Sequence, residues 1–371
     1  MKIIHLIISL GKGGAEKLLV DNLPIYKKMG HDVTVVQLSS MLESEEYVEE
    51  LKKNDIPLYS LSSGSFRNPL LIVRLRSYLK KNNCDVLHVH LFPPLYWASL
   101  ATLGLKDKPK LIFTEHSSSN ERNTKKIFKP LERFIYSRYD AVIAITERVN
   151  EKLLEWLDMP SKIKLIHNGV DIERFNSALP HKPEYFKEHF GTPLTSFKVI
   201  MVSRFSYPKD PITLIEAISL LPETVHLFFV GDGELLNDAK IKVEELQLGN
   251  RIHFLGFRMD IPELMKGSDL NVLSSLHEGM SGVTLEALAS NTAFLGSASP
   301  GIQELVPDKR YLFETCNSVD LSKKIIKLFK NPDFKDELAS EGYKFVKNYS
   351  VHKMIQSHLD LYNLLLKDDM L

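Results

Sequence analysis

The chain is poor in cysteine, has no excess of charge of either sign and lacks a long apolar run. Its 371 residues contain two cysteines, Cys84 and Cys316, which excludes a disulfide framework and is typical of a reducing compartment such as the cytoplasm. Lys+Arg and Asp+Glu are both 47, so general electrostatic attraction to nucleic acid or to an anionic membrane is not expected. No stretch reaches the ~20 apolar residues of a transmembrane helix.

Short apolar runs alternate with longer amphipathic segments along the chain. The first run, Ile3–Ile8, is typical of a strand buried on both faces rather than of a secretory leader. The alternation predicts βαβ units in doubly wound parallel sheets. The predicted strands are Ile3–Ile8, Asp32–Leu38, Asp85–Leu91, Lys110–Glu115, Asp140–Ile145, Lys162–His167, Lys198–Val202, Val225–Val230, Arg251–Leu255, Leu270–Leu273 and Ala293–Gly296.

One segment interrupts this alternation and divides the chain. Residues 176–196 contain three prolines and a glycine, which is typical of an interdomain linker that includes a short helix. We therefore predict a Rossmann-like domain over 1–175, a linker over 176–196, a second Rossmann-like domain over 197–348 and a terminal helix over 349–371. Ligands of such folds bind beyond the carboxyl ends of the strands, in the loops that lead into helices.

The first strand-to-helix loop contains three glycines. Gly13 and Gly14 allow the backbone to approach a ligand, and the following helix offers free N–H groups to an anion. The spacing matches neither the dinucleotide fingerprint nor the P-loop. A simple tight turn explains the loop equally well.

The loop after the first strand of the second domain contains two cations. Arg204 and Lys209 are five residues apart, and both can reach one diphosphate from a turn. Arginine binds phosphate oxygens bidentately and lysine acts as a point charge. The alternative is a pair of solvated surface cations.

The segment from His277 to Leu288 carries two carboxylates eight residues apart. Glu278 precedes a predicted helix and Glu286 lies about one turn inside it. Ser281, Gly282 and Val283 lie near the helix N-terminus, where N–H groups bind phosphate and where Ser281 can cap the helix. One carboxylate can accept hydrogen bonds from sugar hydroxyls and the other from a ribose diol. The alternative is a pair of acids that only stabilise the helix or lie on its exposed face.

The order of these motifs resembles that of one enzyme family. The motifs are Gly13–Glu16, Asp85–His90, Glu115–His116, Asn168–Asp171, Arg204 with Lys209, Val230–Gly233, and Glu278 with Glu286. Together they resemble the retaining glycosyltransferases of family 4. The resemblance implies the GT-B architecture: two Rossmann-like domains that face a central cleft, with a C-terminal helix that crosses back to the N-terminal domain. It also implies transfer of a sugar from a nucleotide diphosphate, most simply UDP, to a glycan or lipid-linked glycan hydroxyl in bacterial surface polysaccharide synthesis.

The resemblance also implies what individual residues do, with no metal and no cofactor. Arg204 and Lys209 would neutralise the leaving diphosphate. Glu286 would bind the ribose, Glu278 the donor sugar, and His116 would lie beside that sugar. The remaining donor contacts would come from Gly13, Gly14, Gly256, Phe257, Arg258, Met280, Ser281, Gly282 and Val283.

Two positions depart from the family pattern, and the mechanism stays open. Met280-Ser281 replaces a common Phe-Pro or Leu-Pro, and Pro300-Gly301 replaces a common Gly-Gly. Both lie near the expected donor sugar and leave its identity open. A same-face reaction assisted by the donor phosphate is favoured over Glu278 as a covalent nucleophile. The alternative functions are a nucleotide-sugar 2-epimerase with the same fold and a non-catalytic nucleotide-sugar-binding subunit.

Two further groups have a possible function. His88 and His90 share one face of a strand, but the sequence places no third zinc ligand beside them. The segment 122–138 carries six cations and one acid, Glu132, with apolar residues between them. We predict an amphipathic helix there that either contacts the inner face of the membrane peripherally or packs on the sheet as an ordinary solvated helix. No nucleic-acid partner is expected.

Overall fold

The structure is a computed structural model that describes residues 1–117 and 126–367, without the side chain of Lys126. The chain forms two compact units. Unit 1 comprises Met1–Asn168 and Val351–Leu371, and unit 2 comprises Gly169–Ser350.

Unit 1 is built on a parallel sheet of seven strands in the order β3-β2-β1-β4-β5-β6-β7. The first strand lies in the middle, as in a doubly wound fold. The strands are β1 (Lys2–Ile7), β2 (Asp32–Gln37), β3 (Leu58–Ser60), β4 (Val86–His90), β5 (Lys110–Glu115), β6 (Ala141–Ala144) and β7 (Ile163–Leu165). The predicted strands of this half are all confirmed, whereas β3 was not predicted because three residues with two exposed side chains give no pattern.

The described helices of unit 1 include one from the far end of the chain. They are α1 (Gly14–Lys28), α2 (Glu45–Lys53), α3 (Leu70–Lys81), α4 (Pro94–Ala101), α5 (Lys129–Ser137), α6 (Glu147–Leu157) and α15 (Val351–Lys367). Helix α15 packs on α1 and β5. It buries apolar side chains such as Ile355 and Leu359 together with two polar ones, His358 and Tyr362. The terminal segment therefore returns to the first unit, as the resemblance implies.

Unit 2 repeats this architecture with six parallel strands in the order β10-β9-β8-β11-β12-β13. The strands are β8 (Phe197–Val202), β9 (Val225–Val230), β10 (Ile252–Phe254), β11 (Leu270–Leu273), β12 (Ala293–Ser297) and β13 (Leu312–Phe313). The helices are α7 (Ile172–Ser177), α8 (Pro183–Phe190), α9 (Pro211–Ser219), α10 (Leu236–Glu245), α11 (Ile261–Gly267), α12 (Gly282–Ala289), α13 (Ser318–Lys330) and α14 (Pro332–Val346). Strand β13 was not predicted, since two residues give no period.

The division of the chain differs from the prediction at the boundary between the halves. The structure assigns 169–175 to unit 2, and the predicted linker 176–196 is instead an integral part of that unit. The reason is apolar burial: α7 packs on α11 and α12 through the buried Phe175, and Phe186 of α8 packs on Phe228 with ring centroids 5.0 Å apart. The short helix predicted within this segment is present, since Pro183 begins α8. The terminal helix begins at Val351 rather than at 349.

None of the helices in residues 1–117 and 126–367 combines the length and apolar character needed to cross a membrane.

Candidate functional site

The point where strand order reverses in unit 2 lies between β8 and β11, which pair directly, with Val199 opposite Leu270. Open α/β sheets bind ligands at the carboxyl ends of the two strands at this point. The loop after β8 contains Arg204 and Lys209, and the loop after β11 contains Glu278. The structure thus brings the two predicted loops to one edge of one sheet.

Backbone hydrogen bonds join these two loops. The Asp210 N–H donates to the Ser274 carbonyl at 2.7 Å, and the Leu276 N–H donates to the Pro208 carbonyl at 2.9 Å. Lys209 forms a short antiparallel bridge with Ser275. The cationic and acidic loops are therefore held in one fixed arrangement.

Lys209 and Glu278 form an ion pair in this structure. Their side chains are only 16% and 15% exposed, so both are largely shielded from water. Arg204, by contrast, is exposed, and among the residues that the structure describes its guanidinium has no ion-pair partner. The edge of the sheet thus presents one open cation and one cation neutralised by a carboxylate.

The loop after β8 is supported by close backbone packing. Phe205 is buried against Phe229, with ring centroids 5.3 Å apart, and its N–H donates to the Asp232 carbonyl at 2.9 Å. Gly231 and Gly233 have φ of 132° and 151°, and a Cβ on either would collide with the carbonyls of Ser203 and Phe205. Only glycine allows the two loops to lie this close.

Ser281 caps helix α12, as the sequence predicted. Its Oγ accepts hydrogen bonds from the Thr284 N–H at 3.2 Å and from the Thr284 hydroxyl at 2.9 Å. Met280 is buried, whereas Gly282 is exposed and Val283 and Glu286 are partly exposed. The helix start is thus accessible, and Glu286 lies one turn further along on the same helix.

Pro300-Gly301, which replaces the common Gly-Gly pair of the family, retains a glycine at the second position, where the backbone conformation requires one. Gly301 has φ of +80°, and a Cβ there would lie 2.7 Å from the Cβ of Glu278 and collide with its carbonyl oxygen. The Glu278 N–H donates to the Pro300 carbonyl at 2.8 Å, and the Ser281 N–H donates to the Gly301 carbonyl at 3.1 Å. This loop therefore sets the position of Glu278.

The segment Gly256–Arg258 follows β10 at the same edge of the sheet. Gly256 accepts a hydrogen bond from the Gly231 N–H at 2.8 Å. Arg258 forms hydrogen bonds with both carboxylate oxygens of Asp260 and with the Tyr185 hydroxyl. Burial acts to raise the pKa of Asp260, but hydrogen bonds from Arg258 and His181 outweigh it and lower that pKa to about 2. The Arg258 side chain is thus engaged in a structural ion pair, and Phe257 is half-buried.

The glycine loop of unit 1 follows β1 and leads into α1. Gly13 is the N-cap with extended backbone and Gly14 is the first helical residue. The carboxylate of Glu16 lies against Gly13, where the helix dipole favours a negative charge. The Lys12–Glu46 ion pair of 2.9 Å ties the loop to α2. The loop is therefore a helix N-terminus at the carboxyl edge of the first sheet.

His116 directly follows β5 and is half-buried. Its Nε2 lies 3.2 Å from Nδ1 of His90, the last residue of β4. Burial lowers the pKa of His116 to about 4 and lowers the pKa of His90 well below its usual value. The ring is therefore neutral at ordinary pH.

The structure places a third histidine beside His88 and His90. It is His5 of β1, which lies opposite His88 and which the sequence did not indicate. One ring nitrogen from each of the three lies within 4.8 Å of the others. Both nitrogens of His88 are already hydrogen-bonded, to the Tyr362 hydroxyl at 2.6 Å and to Thr114 Oγ1 at 2.7 Å. A metal ion would have to replace these bonds.

Part of the predicted amphipathic segment lies outside the described residues, including Arg122 and Lys125. In the described part, α5 is anchored by Glu132, which accepts a hydrogen bond from the Tyr96 hydroxyl, and by Tyr136, which donates to Glu115 at 3.0 Å. Burial raises the pKa of Glu132 to about 7. The outward apolar side chains are Ile127 (81% exposed), Phe128 (40%), Leu131 (47%) and Phe134 (49%).

Two known sequence families match the chain. Residues 12–174 match Glycosyltransferase Family 4, and residues 183–345 match Glycosyl transferases group 1. The two matches fall on unit 1 and unit 2 respectively, apart from a few residues at the boundary.

Relatives are similar over nearly their whole length. The chain is 25% identical to the UDP-Gal:alpha-D-GlcNAc-diphosphoundecaprenol alpha-1,3-galactosyltransferase of Escherichia coli, over 98% of this chain and 96% of that protein. It is 26% identical to the GalNAc-alpha-(1->4)-GalNAc-alpha-(1->3)-diNAcBac-PP-undecaprenol alpha-1,4-N-acetyl-D-galactosaminyltransferase of Campylobacter jejuni, over 97% and 98%.

A solved structure shares the fold. Alr3699/HepE of Anabaena, crystallised with UDP and glucose, superposes with a TM-score of 0.85 at 22% identity, over 98% of this chain and 99% of that one. With its two parallel-sheet units and its matches to both sequence families, the chain belongs to the family 4 glycosyltransferases of the GT-B fold.

Proposed function

We propose that this protein transfers a sugar from a UDP-sugar to a hydroxyl of a lipid-linked glycan, with retention of the anomeric configuration and without a metal ion. The observation that carries the proposal is the cluster at the switch point of unit 2. There Arg204, Lys209 and Glu278 share one edge of the sheet and Glu286 follows on α12. Cations next to hydroxyl-binding carboxylates are the groups that a nucleotide diphosphate sugar requires.

In the proposed reaction the bond between the sugar C1 and the diphosphate oxygen breaks, and charge develops on the diphosphate. Arg204 and Lys209 stabilise that charge, together with the N–H groups of Gly282 and Val283 at the start of α12. The acceptor oxygen attacks C1 on the face that the diphosphate leaves. The acceptor proton passes to a diphosphate oxygen, so the products are the glycoside and UDP.

The two carboxylates bind different parts of the donor. Glu286 accepts hydrogen bonds from the ribose hydroxyls and Glu278 interacts with the donor sugar. Glu278 must first release Lys209, with which it pairs in this structure. The incoming diphosphate takes over the cation, so donor binding exchanges one ion pair for another. His116 and the Gly13-Gly14 loop act from unit 1, which handles the acceptor.

The acceptor is a lipid-linked glycan, and the bacterial surface polysaccharide pathway is the setting. The two relatives are named for acceptors linked to diphosphoundecaprenol and PP-undecaprenol. The protein acts at the inner face of the cell membrane, on the cytoplasmic side where nucleotide sugars are made.

The contact with an anionic lipid surface is made by the outward side of 126–138. Four apolar side chains are exposed there, beside Lys129 and Arg133. Both cations also contact α6, since Lys129 lies over the Trp156 ring and Arg133 forms an ion pair with Asp158 at 3.2 Å. Apolar insertion therefore contributes more than charge to this contact.

Vesicle flotation tests the membrane contact. We expect wild type to float with phosphatidylglycerol vesicles, and Ile127→Ser/Phe134→Ser to remain in the soluble fraction. The matched control removes two exposed apolar side chains of unit 2, Leu179 and Ile241, by substitution to serine. Equal flotation of all three proteins, or flotation of none, would remove the membrane contact from the proposal.

Calorimetry with UDP, GDP and ADP in EDTA tests the donor site. We expect one diphosphate, UDP, to bind wild type, and binding to be lost in Arg204→Ala/Lys209→Ala. Lys187→Ala removes an exposed cation of α8 and serves as the control. Binding of no diphosphate, or binding that the double substitution leaves unchanged, contradicts the assignment of the site.

Turnover then tests the reaction. A panel of UDP-sugars is supplied together with a lipid-linked acceptor, and the product linkage is analysed by NMR. We expect this linkage to have the same anomeric configuration as the donor sugar. Conversion of the donor to an epimer without acceptor would make the protein an epimerase. Binding without turnover across the panel would make it a nucleotide-sugar-binding subunit.

A further inference from the structure

Unit 1 buries an unusual set of polar rings on one face of its sheet. His5, His88 and His90 lie side by side on β1 and β4, and α15 covers them with His358 and Tyr362. These rings form two separate hydrogen-bonded strings. One string joins Thr114, His88 and Tyr362, and the other runs from His5 through His90 to His116.

The second string is a chain of three imidazoles. Nδ1 of His5 lies 3.1 Å from Nε2 of His90, and Nδ1 of His90 lies 3.2 Å from Nε2 of His116. Burial lowers the pKa of each ring below its usual value. A neutral imidazole has one N–H and one bare nitrogen, so every ring that donates at one nitrogen must accept at the other.

The direction of donation is fixed by the buried end of the string. Nε2 of His5 is buried and has no hydrogen-bond partner. A buried N–H without a partner is rarer and less tolerated than a bare acceptor, so the hydrogen of His5 lies on Nδ1. His5 then donates to His90, and His90 must carry its own hydrogen on Nδ1 and donate to Nε2 of His116. His116 is left with its hydrogen on Nδ1.

We propose that His5 and His90 are positioning residues that hold His116 as the Nδ1–H tautomer, so that His116 serves the reaction as a hydrogen-bond donor to a substrate oxygen and not as a base. The donating function rests on the proposed glycosyl transfer. The tautomer itself rests only on the geometry of unit 1. Because Nε2 of His116 is occupied by His90 and Nδ1 carries the hydrogen, the ring has no lone pair with which to take a proton.

Nitrogen NMR on the histidine rings tests the tautomer directly. The sample is the full-length protein with ¹⁵N-labelled histidine at neutral pH, and His116→Gln identifies the His116 signals by their loss. We expect a protonated Nδ1 and a bare Nε2 in His116. A protonated Nε2 overturns the proposal, and this readout needs no substrate and no activity.

Kinetics test whether His90 acts through His116. We expect His90→Leu to lower kcat by about 10-fold or more, since it removes the partner that orients His116. His90→Asn, whose carboxamide can still donate to Nε2 of His116, should retain most of the activity. In a His116→Phe background, His90→Leu should cause no further loss of kcat. A purely structural histidine would lower kcat equally in both backgrounds, and that result overturns the positioning function.

The two proposals fail in different ways. If wild type transfers no sugar, the proposed function fails while the ring-nitrogen spectrum still decides the tautomer. If wild type transfers sugar and His116→Phe is as active as wild type, glycosyl transfer stands and the donating function of His116 is refuted. If His90→Leu does not fold, His90→Asn and the wild-type spectrum still decide the question.

Discussion

Acidification should destabilise unit 1, because unit 1 encloses five neutral histidines, of which four are buried and His116 is half-buried. Burial lowers the pKa of His5 to about 3 and the pKa values of His116 and His358 to about 4. Burial and the neighbouring rings lower the pKa values of His88 and His90 well below the usual value. His5, His116 and His358 therefore remain neutral in the folded protein at pH 5.

The direction of the stability change with pH follows from proton binding. An unfolded histidine titrates near pH 6.5, so below that pH the unfolded state binds protons that the folded state cannot. The stability of unit 1 therefore falls as the pH drops through 6.5 and continues to fall down to the folded pKa values. At pH 5 the neutral rings of His5, His116 and His358 each cost about 2 kcal/mol, or about 6 kcal/mol together, and His88 and His90 act in the same direction. The raised pKa of Glu132 acts oppositely and restores about 2 kcal/mol.

This loss is comparable with the ~5–15 kcal/mol that stabilises a whole domain. Both tryptophans, Trp97 and Trp156, belong to unit 1, so tryptophan fluorescence reports that unit alone. We expect urea titrations to show a sharp fluorescence transition at pH 7.5, and at pH 5 a transition at far lower urea or none. An unchanged urea midpoint at pH 5 would refute the reasoning.

Two substitutions on the same helix provide a matched control. His358 is buried, and its Nδ1 lies 2.7 Å from the Tyr26 hydroxyl, a hydrogen bond that an asparagine carboxamide can also form in either direction. His358→Asn should reduce the loss of stability between pH 7.5 and pH 5 by about 2 kcal/mol. His352→Asn, on the exposed side of α15, should leave that loss unchanged. Equal pH dependence in the two variants would contradict the assignment to buried rings.

Three further substitutions have defined outcomes. Glu132→Gln should raise the free energy of unfolding of unit 1 at pH 8 by about 3 kcal/mol, because the raised pKa of Glu132 destabilises the folded state above pH 7. Urea titration followed by tryptophan fluorescence measures this change. Gly301→Ala should destabilise unit 2 by about 1–3 kcal/mol in circular dichroism melts, whereas Gly249→Ala, which meets nothing within 4 Å, should not. The Glu278→Gln variant should bind UDP up to about tenfold more tightly in calorimetry, because Lys209 loses its ion-pair partner. It should nevertheless transfer sugar more slowly than wild type. Weaker UDP binding would contradict the exchange of ion pairs.

Much of the fold could be predicted because parallel strands leave a strong local signal. Strands such as β1 and β9 are buried on both faces and read as continuous apolar runs. The short edge strands β3 and β13 carry no period, so only pairing with a neighbour defines them. The short helix predicted within 176–196 is present as α8, but its packing into unit 2 was not predicted, because the burial of Phe186 is not visible in its local sequence.

The candidate site was predictable in its residue types but not in its contacts. Arg204, Lys209, Glu278 and Glu286 follow strand ends, and the rule that ligands bind there placed them together. The Lys209–Glu278 ion pair joins residues 69 positions apart, and its formation depends on β8 pairing with β11. The closeness of Gly301 to Glu278 also arises from packing between loops.

The alternating α/β pattern, the loops that carry chemistry and the family could be inferred from the sequence, since these depend on periodicity and on motif order. Which side chains contact each other depends on the tertiary fold. His5 lies 85 residues from His90, and Tyr26 lies 332 residues from His358, yet each pair is hydrogen-bonded. Strand order and the return of α15 to unit 1 bring them together. Contacts of this kind are set by the balance of burial over the whole unit, which no local stretch of sequence contains.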